Sequence, residues 1–219
     1  MHLTLLALLL AGCSSVVPTA ALTTHAQTPA AFIPSGYRLL PHGRATGDLN
    51  GDGRPDVVLA LGPVAEDSAQ ADELLPRLLL VLWRTAGGYR LAATARQALL
   101  GKYDGGVIGD PFEGVRIEKG VLSVRHYGGG GWQWSVVSKF RYQQGDFYLI
   151  GATYSQRHNV EDECPNLGGD HRPGDKYRDE NLLTGAFVSA EVSQDCQLLE
   201  NKHGKQPLKP LRRLVAYHP

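Results

Sequence analysis

Apolar and polar positions alternate irregularly along this chain, but several windows carry a clear period. Asp56-Val57-Val58-Leu59-Ala60-Leu61 and Leu78-Leu79-Leu80-Val81-Leu82-Trp83 are short, largely apolar runs, the pattern of buried strands. Between them, Ala65 to Leu75 is polar and helix-tolerant, so a long loop with a turn or two of helix is predicted. Thr85-Ala86-Gly87-Gly88 predicts a hairpin turn into Tyr89-Arg90-Leu91. The glycine-rich segment from Gly101 to Gly109 predicts an irregular surface loop.

The second half gives a series of β segments: Gly114 to Glu118, Val121 to Tyr127, Trp132 to Tyr142, Phe147 to Tyr154 and a last one from Phe187 to Val192. Lys119-Gly120 and Gln143-Gln144-Gly145-Asp146 supply turns between them. Period-two alternation in Trp132-Gln133-Trp134-Ser135-Val136-Val137-Ser138-Lys139-Phe140 is that of a half-buried antiparallel strand. The expected fold is mainly β, built of antiparallel sheets. A basic tail follows, whose Leu211 and Val215 are placed to pack back onto the domain.

The ends of the chain change this picture only at the amino terminus. Leu3 to Leu10 is almost wholly apolar and runs into Leu10-Ala11-Gly12-Cys13-Ser14-Ser15, a targeting segment too short to span a bilayer as a helix. It resembles the lipobox of bacterial lipoproteins, although Met1-His2-Leu3-Thr4 lacks the usual Lys or Arg. That resemblance implies cleavage before Cys13, lipidation of Cys13 and a place in the cell envelope, on the outer membrane or its periplasmic side in a Gram-negative cell. Residues 1–12 are then the signal peptide. Residues 13–35, rich in Ala, Thr, Ser and Pro, are predicted to be a flexible tether, and 36–219 a single domain with a first unit over 36–95 and a β-rich half over 112–219.

With 219 residues, 42% of them apolar, the chain is long enough to bury a core. Its 22 basic and 22 acidic residues cancel, which removes the basic footprint of a nucleic-acid partner. In an exported protein the remaining cysteines, Cys164 and Cys196, are expected to pair.

The chemistry concentrates in Gly47-Asp48-Leu49-Asn50-Gly51-Asp52-Gly53-Arg54-Pro55-Asp56. Side-chain oxygens fall at alternate places, from Asp48, Asn50, Asp52 and then Asp56, with the Arg54 carbonyl as a further donor. Such an all-oxygen set suits Ca2+, and Gly53 permits the sharp turn around it. Asp, Asn and Gly also make ordinary turns. An EF-hand would need a bidentate Glu at its twelfth position, where this chain has Leu59. The stretch is instead similar to the FG-GAP or VCBS repeat of integrin-type propeller blades, specifically over Gly47 to about Leu61 and more loosely through Leu78 to Ala93. The resemblance implies Asp48, Asn50, Asp52 and Asp56 as calcium ligands in a blade-like unit. Because the loop occurs once, a complete propeller is excluded.

Two further readings stay open. Arg125-His126-Tyr127, four glycines and Trp132-Gln133-Trp134 could form a ligand face for a glycan or protein partner through His126, Tyr127, Trp132 and Trp134, although aromatic residues at alternating strand positions are commonly core. Asp104, Asp110, Glu113, His126 and His158 are the residues a hydrolase would draw on. His158, Glu161, Asp162, Glu163, Asp170 and His171 form a polar loop that a transition metal could use. No spacing selects any of these as catalytic, so the expectation is an envelope-anchored binding or interaction module with a structural calcium loop, the alternative being a glycan-binding or hydrolytic envelope protein.

Overall fold

The computed structural model describes residues 22–68, 76–159, 162–167 and 171–219. Cys13, Glu161, Asp170 and most of the predicted 65–75 loop lie outside these. Two antiparallel sheets make up the fold, and among the described residues there is no closed barrel or propeller. The first has five strands in the order β1-β5-β4-β3-β2, formed by β1 (His25–Ala26), β2 (Tyr37–Gly47), β3 (Asp56–Pro63), β4 (Leu78–Thr85) and β5 (Gly88–Ala95). The second is a seven-stranded meander, β12-β11-β10-β9-β8-β7-β6. Its strands are β6 (Phe112–Glu118), β7 (Val121–Gly129), β8 (Trp132–Gln143), β9 (Asp146–His158), β10 (Lys176–Asn181), β11 (Ala186–Val192) and β12 (Leu198–Lys205).

The unbroken apolar runs of β3 and β4 are explained by two separate layers of packing. Val58, Ala60, Leu79, Val81 and Trp83 face the second sheet, where Leu122, Val124, Phe140, Phe147 and Leu149 complete the main core. Trp83 stacks on Phe147 at 5.4 Å and meets Tyr142 edge-on at 5.0 Å. Val57, Leu59, Leu61, Leu78, Leu80 and Leu82 point the other way, into a second cluster with Phe32, joined by Leu22, Ala26 and Ile33. The packed domain therefore begins earlier than the expected tether allows. Part of the 13–35 stretch is a cover for the first sheet, with β1 paired to β5 and Phe32 only 1% exposed, because β3 and β4 would otherwise present an apolar face to water.

β2 and β6 run side by side at the corner where the sheets meet. Contact is close there: a Cβ on Gly47 would come within 2.6 Å of Ile117 Cγ2. The β6–β7 and β8–β9 turns place Lys119-Gly120 and Gln144-Gly145 at positive φ, the two-residue geometry that matches strand twist.

Two expectations, one on the strands of the second sheet and one on the tail, need correction. The Phe187–Val192 segment is not the last strand, since β12 pairs with it, and β10 precedes it. Both added strands are polar, Lys176-Tyr177-Arg178-Asp179-Glu180-Asn181 and Leu198 to Lys205, so no hydrophobic period marks them. In the 65–75 region, the described part carries a short 3-10 turn over Val64–Asp67, in keeping with the turn of helix expected there. In the tail, Leu214 and Tyr217 are the packed residues, with the Tyr217 hydroxyl 2.6 Å from Ser138 Oγ, whereas Val215 is 42% exposed.

Candidate functional site

The loop from Asp48 to Asp56 joins β2 to β3 and is organised by its own side-chain oxygens. Asp48 accepts from the Gly51 N–H at 2.7 Å and the Gly53 N–H at 2.9 Å. Asn50 Oδ1 accepts from the Asp52 N–H at 3.0 Å, and Asp52 Oδ1 from the Arg54 N–H at 2.9 Å. Gly51 and Gly53 both have φ of +79°, a left-handed conformation that side chains other than those of Asn and Asp rarely take. The N–H of Gly53, followed by others in the turn, holds the Asp48 carboxyl below the usual carboxylate range.

Asp56 differs from the other three. It is fully buried at the first position of β3, its Oδ2 accepting from the Leu49 N–H at 3.0 Å and its Oδ1 from the Arg84 N–H at 2.9 Å. One carboxylate thus ties the loop to the β4–β5 hairpin, 28 residues further on. Burial pushes the Asp56 carboxyl up, against the pull of those two N–H groups, and the charges of Asp52 and Asp48 push the same way.

The donor set fits a hard cation in kind: carboxylates at Asp48, Asp52 and Asp56, an amide oxygen at Asn50 and a carbonyl at Arg54, all oxygen. The repulsion that Asp56 feels from Asp52 and Asp48 is what a cation would relieve. Each hydrogen-bonded carboxylate oxygen also keeps a second lone pair. In arrangement, the oxygens turn to the loop's own N–H groups, and among the described residues no three His, Cys, Asp or Glu side chains converge as a ready metal cluster.

The proposed aromatic face is divided by strand alternation. His126 lies with Leu122 and Val124 on the core side of β7, 1% exposed. Its Nε2 accepts from the Leu100 N–H at 3.2 Å, its Nδ1 is buried without a partner, and burial, with Arg77 adding to it, pushes the imidazole down to about 4. A neutral, enclosed ring cannot be part of a surface ligand face. Trp132 packs against His158 at 4.8 Å and over Gly174, and Trp134 lies over Gly128.

Tyr127 faces the opposite side, where the second sheet carries a groove of about 520 Å³. Registry builds its floor. Tyr127 pairs with Ser135, Ser135 with Ser155, Ser155 with Tyr177 and Tyr177 with Ala190, one row across five strands. The two serine hydroxyls lie 2.8 Å apart. With strands about 4.8 Å apart, the tyrosines stand about 14 Å from each other across this small-residue floor. Arg125, Gln133, Arg157, His171 and Asp175 line the remainder, with Trp134 also at its margin.

The Cys164–Cys196 disulfide is formed, with Cα atoms 5.4 Å apart and Cys164 buried. It staples the segment that brings His171 and Asp175 to the groove. Of the hydrolase candidates, Asp104 accepts from the Gly101 N–H at 2.6 Å and Asp110 is paired to Arg77 at 2.7 Å. Glu113 is exposed on β6. Asp104 and Asp110 lie close enough to the buried His126 for their charges to act on it, next to Arg77. Of the polar loop, His171 joins the groove while Asp162 and Glu163 do not line it.

Sequence reasoning missed Arg77 and Glu66. The Arg77 side chain is fully buried, 3.0 Å from Glu66 and 2.7 Å from Asp110, and it donates to the Leu100 carbonyl. Its only signal was a charge set against the start of an apolar run. This network fastens the 99–111 segment to β4.

No protein-family model, no curated protein and no solved structure matches the chain. The likeness of the Asp48–Asp56 loop to an FG-GAP unit accordingly stands on its residues alone.

Proposed function

We propose that this protein is a lipid-anchored binding module of the cell envelope, whose ligand surface is the outer groove of the seven-stranded sheet. Anchoring through Cys13 follows from the lipobox residues. Asp48, Asn50, Asp52, Asp56 and the Arg54 carbonyl would hold a calcium ion, which when bound supplies charge neutralisation that fixes the start of β3. The ion's place is structural, because Asp56 links the loop to the β4–β5 hairpin and not to the groove.

The observation that carries the binding reading is the Tyr127–Ser135–Ser155–Tyr177 row. It lies on central strands whose backbone groups are already paired, so a peptide could not add as a further strand there. Two aromatic walls with hydroxyl, amide and guanidinium groups between them suit a hydroxyl-rich ligand with apolar ring faces. This favours a glycan over an unspecified protein partner. The test is a titration of the full chain with soluble cell-wall saccharide fragments, followed by tryptophan emission, since Trp134 borders the groove. A saturable response is expected, and Ser135→Trp, which fills the floor, should abolish it. No response to any fragment, or a response untouched by Ser135→Trp, would overturn the reading.

A further inference from the structure

The two ends of the molecule differ in what they expose. At one end lie the Asp48–Asp56 loop, the β4–β5 hairpin that Asp56 reaches through Arg84, and the β6–β7 turn, where Gly120 comes close to Asp48. The other end is capped by the 101–109 loop. Backbone bonds fasten this loop to the β7–β8 hairpin, the Gly129 N–H donating to the Gly105 carbonyl at 2.8 Å and the Ile108 N–H to the Gly129 carbonyl at 3.2 Å. Just beyond it, the Asp110–Arg77 pair ties the chain to the start of β4. Held in this way, the loop presents Val107 at 91% exposure, the highest of any large apolar side chain among the described residues, next to exposed Ile108 and Tyr103. Trp132 and Val64, the first residue after β3, are exposed at the same end. The two charges of the loop have opposite signs and are already bonded within the protein, Lys102 to Asp67 at 3.1 Å and Asp104 to the Gly101 N–H. An apolar cluster held out by a fixed backbone marks a surface that a partner covers.

The route of the chain towards Cys13 leaves from this same end. β1 pairs Ala26 with Tyr89 and His25 with Arg90, and the Leu91 N–H donates to the Thr24 carbonyl. Read backwards, the chain thus advances along β5 towards Ala95, which pairs with Leu79 near the start of β4. From Leu22 back to Cys13 it can span at most about 30 Å. An acyl chain on Cys13 therefore holds this end of the domain, and not the Asp48–Asp56 end, towards the bilayer.

Resting on the reading of Cys13 as a lipid anchor, we infer that the 101–109 loop is a membrane-docking element: Val107 and Ile108 enter the bilayer that carries the anchor, with Tyr103 and Trp132 at the headgroup level. Aliphatic side chains gain by leaving water for hydrocarbon. Tyrosine and tryptophan settle at the interface, because their rings are apolar and their polar atoms stay wet. Two aliphatic side chains hold a bilayer weakly by themselves, but the tether makes the contact intramolecular and so raises the effective lipid concentration. Docking fixes the orientation of the domain, with the Asp48–Asp56 loop turned away from the membrane.

The test uses the full acylated chain with phosphatidylcholine vesicles, with and without bromine on the lipid acyl chains. Flotation with the vesicles reads the anchor. Quenching of tryptophan emission by bromine reads the loop, since Trp132 lies at the docked end while Trp83 is enclosed in the core. The wild type is expected to float and to be quenched. Val107→Asp, at a site open to solvent, should float equally and lose the quenching, whereas Val107→Leu should keep it. Val215→Asp, at an exposed apolar site beside the start of β9, should leave the quenching unchanged. A chain that floats with unquenched emission, or quenching that survives Val107→Asp, refutes the docking and leaves the anchor standing. A chain that does not float refutes the anchor, and the docking built on it falls as well. Cross-linking of two chains on the vesicles that Val107→Asp abolishes, with emission unquenched, would assign the loop to a second copy and overturn the inference.

Discussion

Asp56→Ala isolates the link between the calcium-type loop and the sheet, because both oxygens of this buried carboxylate are occupied by backbone donors. Removing them leaves the Leu49 and Arg84 N–H groups without acceptors, the first fully enclosed. Each orphaned donor costs about 1–3 kcal/mol. Against this stands the relief of a carboxylate that burial and the nearby Asp52 and Asp48 charges already disfavour. The net destabilisation should be about 2–4 kcal/mol, a large fraction of the roughly 5–15 kcal/mol that holds a domain together. For a chain of this size that lowers Tm by about 4–16 °C. The measurement is thermal or urea unfolding with chelator present, so that metal plays no part. Asp52→Ala is the control: its carboxylate serves only exposed partners, the Arg54 N–H and the Asn50 amide, and in chelator it should cost less than about 1 kcal/mol. If Asp56→Ala melts with the wild type in chelator, or no lower than Asp52→Ala, the loop is not fastened through Asp56.

Calcium in hundredfold excess over Kd should stabilise the wild type by about 2.7 kcal/mol, and Asp52→Ala should lose that increment; an unmoved melting curve with and without chelator would remove the metal from the account. His126 should make stability sensitive to acid. Its folded imidazole protonates near 4 instead of 6.5, so the unfolded chain binds more protons between these values and stability falls as pH drops through that window, by on the order of 3 kcal/mol. His126→Phe should show a shallower fall in urea midpoint from pH 7 to pH 4.5, and an identical slope in both proteins would contradict this. Opening the Cys164–Cys196 bridge, which joins residues 32 apart, should cost about 4 kcal/mol in the chain-entropy model. Cys196→Ser with Cys164→Ser should therefore unfold at clearly lower urea than the wild type, and equal midpoints would show that the bridge adds nothing to stability.

Local pattern carried a good deal of this protein. The apolar runs of β3 and β4, the alternation of β8 and the glycine turns at Lys119-Gly120 and Gln144-Gly145 are decided by neighbours in the chain, and each appears where the residues place it. The oxygen-bearing loop and the paired cysteines were legible for the same reason, since residue type and short spacing carry them. Other features depended on which strand lies beside which. Polar β10 and β12 are strands because β9 and β11 offer edges to pair with, not because of any hydrophobic period. His126 and Tyr127 are adjacent in sequence yet face the core and the groove respectively, because side chains alternate and only the packing of one sheet on the other says which face is buried. The same holds for Asp56, whose second partner is Arg84, and for Arg77, whose partners Glu66 and Asp110 come from either side of it in the chain. Secondary structure follows from short-range chemistry that a sequence displays. The site depends on the register of a seven-stranded sheet, a sum of long-range pairings that no local window contains.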